Sequence, residues 1–111
     1  MEKQTAGHDQ LGDFAPQFAE LNDDVLFGQV WAREGQLSPR DRSLITIAAL
    51  MMNGDYEQLK YHLQHGKDNG ITKDEIVETV TQLAFYVGWP KAWTVLKMAN
   101  LEIKFKEGKS I

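Results

Sequence analysis

The chain has 111 residues, 42% hydrophobic and 25% charged, ordinary globular usage with room for a single buried core. Its net charge of −4 argues against a nucleic-acid partner, and cysteine is absent. Disulfides, thiolate nucleophiles and CxxC redox chemistry are thereby excluded.

Met1 to Gln10 is polar, with no hydrophobic segment of the secretory type, and reads as a frayed tail. From Leu11 to Leu21 the apolar positions Leu11, Phe14, Ala15, Phe18, Ala19 and Leu21 fall at helical spacing around Pro16. Asn22 can cap a second segment, in which Val25, Leu26, Val30 and Trp31 form one stripe. Gly35-Gln36 breaks it. Ser38 as N-cap, Pro39 as first helical residue and Asp41 at the capping-box position then open a third helix. Only Thr46 interrupts its apolar run from Leu44 to Met52. Such a helix must be surrounded, either at the centre of the monomer or between subunits.

Asn53-Gly54 stops that helix, and the next runs from about Asp55 to Asn69, with Gly70 as a left-handed cap. Thr72 and Glu75 repeat the capping box and open a helix through Ile76, Val80, Leu83, Ala84 and Val87. After Gly88, Pro90 starts a final helix that reaches Leu101 and extends toward Ile103 and Phe105. Lys104, Lys106 and Lys109 read as a solvated helix end, and Gly108 to Ile111 should fray. No run alternates with the period of a strand. The expectation is an all-α protein of five to six helices forming one domain over 1–111. The longest apolar run is far short of the roughly 20 residues that span a bilayer. No membrane partner is expected, and the cytoplasm is the default location.

Three groups of residues could carry chemistry. All three arginines, Arg33, Arg40 and Arg42, fall within ten positions around a helix start, a pattern suited to gripping a carboxylate. They would equally serve ion pairs to Asp41 or Glu34, or to another subunit. His62 and His65 lie three apart on one helix. They could act as general acid or base, begin a metal site or be structural, and no cysteine or obvious carboxylate completes a metal set. Gln82 and Tyr86 sit one turn apart on an otherwise apolar helix and need partners: each other, water or a ligand. The aromatics Tyr56, Tyr61, Phe85, Trp89 and Trp93 read as core or subunit contacts, and His8 lies in the tail.

The stretch Leu37-Ser-Pro-Arg-Asp-Arg-Ser-Leu-Ile-Thr-Ile-Ala-Ala-Leu50 resembles the central helix of the carboxymuconolactone decarboxylase family. Leu59 through Tyr61-His62-Leu63 to Asn69-Gly70-Ile71-Thr72 is similar to the helix and turn that follow it. Glu75-Ile76, Gln82-Leu-Ala-Phe-Tyr-Val-Gly-Trp-Pro90 and the upstream Phe27-Gly-Gln-Val-Trp-Ala-Arg33 extend the likeness over roughly residues 14 to 100.

The resemblance implies an alkylhydroperoxidase D-like helical fold that assembles as a trimer or hexamer. It also implies cofactor-free loss of carbon dioxide from a small carboxylated lactone in aromatic catabolism. On that reading His62 donates a proton or stabilises an oxyanion. Arg42 and Arg33 grip carboxylate, Gln82 and Tyr86 line the pocket, and no metal is involved. The family's redox branch uses Glu, CxxC and His, and through His62 its other positions fall on Ser43, Asp55 and Gln58. A thiol relay is therefore unavailable. The alternatives are a family member acting on another substrate and a non-catalytic oligomeric binding protein.

Overall fold

The computed structural model describes residues 3–105, so the expected fraying of Gly108 to Ile111 and the reading of Lys106 and Lys109 lie outside the described residues. Six α-helices and two π-helical segments make up the regular structure among these residues, and no strand is present. The helices are α1 (Ala6–Leu11), α2 (Pro16–Glu20), α3 (Pro39–Asn53), α4 (Tyr56–Asp68), α5 (Lys73–Val87) and α6 (Trp89–Lys97). The sequence reading treats 1–111 as one domain; the contacts of the structure fall into two compact units, Met1–Ser38 and Pro39–Ile111, each with its own packing.

In the amino-terminal unit, α1 stands where a frayed tail is expected. Its start is held from a distance: the Asp23 carboxylate accepts from the backbone N–H of Gly7 (2.9 Å) and of His8 (2.9 Å). Those N–H groups would otherwise be orphans of the helix end. Asn22 does not begin a new helix, because the chain runs from α2 straight into the π-helical segment Leu21–Val30. Its side chain instead donates to Asp23 Oδ1 (2.9 Å). The wider π turn shifts the phase of the expected stripe. Trp31 is buried, while Val25, Leu26 and Val30 remain exposed.

In the carboxy-terminal unit the cap signals translate into structure. Thr72 Oγ1 accepts from the Glu75 N–H (3.2 Å), and Glu75 Oε1 accepts from the Thr72 N–H (3.0 Å), closing the capping box of α5. Gly54, Gly70 and Gly88 all have positive φ and stop α3, α4 and α5 in turn. Ile47 and Met51 of α3, Leu59 and Leu63 of α4, Ile76 and Val80 of α5 and Val95 of α6 form the core. Gly66 sets the spacing of α3 and α4, since a Cβ there would lie 3.1 Å from Ile47 Cδ1 and 3.0 Å from Ile71 Cδ1.

The expected enclosure of α3 is not met within the chain. Ile45 is 58% and Met52 55% exposed, opposite the buried row Ser43, Ile47 and Met51. The final helix ends earlier than expected, passing at Met98 into a second π-helical segment, Met98–Ile103. Lys67 donates to the Ile103 carbonyl (3.1 Å), tying that segment to α4, and Ile103 and Phe105 close onto the core.

Candidate active site

Helix α4 packs against α3 and carries the histidine pair on the side next to its buried row Leu59–Leu63–Gly66. His62 is half-buried. The Tyr61 ring meets its imidazole edge-on at 4.9 Å, and the His65 ring lies 6.2 Å away. Tyr61 also reaches His65, at 5.7 Å between ring centroids. Nδ1 of both histidines and Nε of Arg42 are sealed from solvent.

Burial first, and then the nearby charge of His65, push the His62 pKa down to about 4. Burial likewise lowers His65, partly offset by Asp68. At neutral pH His62 is therefore an uncharged imidazole, able to offer one N–H and one lone pair. No group of three or more histidine, aspartate or glutamate side chains placed to hold a metal ion occurs among the described residues.

The arginines diverge. Arg40 binds Glu75 and Asp41, bridging the start of α3 to the start of α5. The Glu75 carboxyl is held below its ordinary pKa, first by the Thr72 N–H and then, against partial burial, by Arg40. Arg42 is half-buried on the first turn of α3, where its carbonyl accepts from Thr46 Oγ1 (2.7 Å). Arg33 is exposed and belongs to the amino-terminal unit.

Gln82 and Tyr86 both point off α5 into solvent, Tyr86 72% exposed. They share the helix stripe of Glu75 and Thr79, away from the buried row Ile76, Val80 and Ala84. The carboxy-terminal unit thus holds four of the five expected site residues.

Neighbours that the sequence reading did not assign complete the picture. Tyr61, expected in core or interface, packs on the histidines. Ser43, where the redox branch has its glutamate, is fully buried and accepts from Asn69 Nδ2 (3.0 Å). That bond fastens the α4–α5 turn to α3. Position 69 carries no catalytic signature, but an amide beside a left-handed glycine is a common turn signal.

The sequence model of the carboxymuconolactone decarboxylase family matches residues 16–101. The chain is 36% identical over 92 residues to 4-carboxymuconolactone decarboxylase of Acinetobacter baylyi, covering 83% of this chain and 68% of that protein. It is 35% identical over 71 residues to nitrosuccinic acid decarboxylase of Metarhizium robertsii, covering 64% of this chain and 49% of the relative. An uncharacterized protein of Paracoccus denitrificans shares 33% identity over 79 residues, covering 69% and 58%. The chain thus spans about two thirds of the first relative and about half of the second.

Proposed function

Because the chain belongs to the carboxymuconolactone decarboxylase family, we propose that it is a cofactor-free decarboxylase of small carboxylic acids of the 4-carboxymuconolactone type. The observation that carries this reading is its similarity to two proteins named as decarboxylases, whose named substrates pose one chemical problem. In each, the bond to a carboxylate breaks next to an electron sink. The conjugated lactone carbonyl takes the electron pair in one and the nitro group in the other. Each substrate also keeps a second carboxylate. A protein that accepts such an acid must hold the retained carboxylate and donate hydrogen bonds to the oxygen that gains charge. A proton must then reach carbon, at the ring position next to the lactone carbonyl in the first acid and at the carbon that lost carbon dioxide in the second.

The residues of the carboxy-terminal unit suit these jobs. Arg42 supplies a permanent cation for the retained carboxylate. His62, kept neutral by burial, is a hydrogen-bond donor to the growing oxyanion that carries no charge before reaction. With Nδ1 turned away from solvent, Nε2 is the nitrogen offered to substrate. Negative charge developing beside the ring raises its basicity, so the same imidazole can pass a solvent proton to carbon. Gln82 and Tyr86 line the open side in this proposal. A second copy of the chain would shelter them by seating on Ile45, Met52, Phe85 and Tyr86, which are exposed in the single chain.

The test is to incubate the purified chain with 4-carboxymuconolactone and, separately, with nitrosuccinate while following carbon dioxide release. Catalytic release from either acid supports the proposal. Release from neither above the uncatalysed rate contradicts it.

A further inference from the structure

A concavity lies on the carboxy-terminal unit, with neither His62 nor His65 in its lining. It is a groove of about 510 Å³ between α5 and α6, within the size range of small-molecule sites. Neither His62 nor Arg42, Gln82 or Tyr86 lines it. Val77 and Val80 from α5 and Trp89, Trp93 and Leu96 from α6 supply most of its apolar wall, and the small side chains of Ala84, Ala92 and Ala99 leave the hollow. Trp89 and Trp93 are more than half exposed, so the wall is open to a ligand from solvent.

The charges are placed unevenly along this groove. Only Lys73 and Lys97 among its lining residues carry charge, although the chain as a whole is acidic at −4. Lys73 begins α5 and Lys97 ends α6. The two helices are joined through the single residue Gly88, with Lys97 nine residues and Lys73 fifteen residues from it, so both lysines lie in the half of the groove away from the link, Lys73 further along it. Asn100 and Phe105 also line the groove. From Lys73 the wall runs along α5 to Ala84, about 16 Å at the rise of an α-helix. The groove's only charges, both positive, thus lie in the half away from Gly88, and apolar side chains line the half toward it.

We propose that this groove binds an amphipathic monocarboxylate with a medium-length acyl chain, its carboxylate between Lys73 and Lys97 and its tail against Trp93 and Trp89. Burying an alkyl tail supplies the affinity, and the lysine pair sets the direction in which it enters. The site is separate from the proposed decarboxylase site and does not depend on that reading.

Dodecanoate below its micelle concentration is the probe, followed by calorimetry and by tryptophan emission, since two of the chain's three tryptophans line the groove. The expected result is saturable binding at one site per chain. Decanoate, two methylenes shorter, should bind about tenfold more weakly. Lys73→Gln with Lys97→Gln should weaken dodecanoate about fivefold and leave dodecan-1-ol unchanged. Val77→Glu, at a partly exposed wall position that tolerates a polar side chain, should abolish dodecanoate binding. Absence of saturable binding overturns the proposal, as does binding indifferent to both lysines. It is also overturned if the chain self-associates, Val77→Glu separates the copies and dodecanoate does not bind, which would make the groove a contact between copies.

Discussion

In Pro39–Ile111 the buried side chains are almost all apolar, with Ile47, Met51, Leu59, Leu63, Ile76, Val80 and Val95 at their centre. Among the described residues of Met1–Ser38 the buried set is Gly7, Ala19, Trp31 and the carboxylate of Asp23. One unit is organised by area removed from water, the other by a few directed hydrogen bonds converging on one acid. Apolar burial is tolerant of small shifts and scales with area. A carboxylate that receives Gly7 N–H, His8 N–H, the His8 ring and Asn22 fails as a group if the geometry slips. The chain thus contrasts a redundant core with a single-point anchor.

The largest effect that sharpens this contrast is expected at Ile47, which is fully buried against α4. Ile47→Ala should lower the unfolding free energy of the carboxy-terminal unit by about 4 kcal/mol, read from urea denaturation. The counterpart in the other unit is Gly7→Ala, whose new Cβ would lie 2.7 Å from Asp23 Oδ1 and 2.9 Å from the Ala19 carbonyl. It should cost about 2 kcal/mol, seen as faster amide exchange in Ala6–Leu11. If α1 keeps its protection in that variant, the anchor is not what holds it. A smaller effect, about 1 kcal/mol, is expected for Thr72→Ala, which removes one half of the α5 capping box, with loss of helicity confined to the first turn of α5 in chemical shifts.

Acidity separates the units by sign. The Asp23 hydrogen bond raises the His8 pKa above 6.5, and neighbouring acids add to it. Burial alone would raise the Asp23 pKa, but Asn22, His8 and Gly7 donate to it and hold it far below the usual carboxylate range. A raised histidine binds its proton more tightly folded than unfolded. The contribution of His8 is therefore full below pH 6.5 and is lost as pH climbs through the raised value. His62 is the reverse. Its folded pKa is about 4, so its contribution is full above pH 6.5 and is lost as pH falls toward 4. The three histidine resonances followed by NMR between pH 3.5 and 9 check this directly. His8 should titrate above the ordinary histidine value and His62 well below it.

The same contrast explains what was legible in the sequence. Helices α3 to α6 announce themselves locally, through Pro39, the Thr72–Glu75 box and glycines at 54, 70 and 88 that take positive φ. The start of α1 does not, because its cap is a side chain about sixteen residues further on. The π segments are hidden for a related reason, since a stripe drawn at 3.6 residues per turn misplaces side chains on a wider turn. Of the site, His62 stood out by residue type and by likeness to the family. The burial that lowers its pKa was not legible, because packing beside Tyr61 and His65 is a property of the fold. The placement of Gln82 and Tyr86 on the exposed stripe of α5 likewise depends on which face the core claims.

The central claim is that a half-buried, neutral His62 serves decarboxylation, and turnover of 4-carboxymuconolactone by wild type and His62→Ala at pH 7 tests it most directly. The substitution should lower kcat by about 100-fold with the fold intact by amide exchange. A folded His62→Ala chain that releases carbon dioxide at the wild-type rate would contradict the claim.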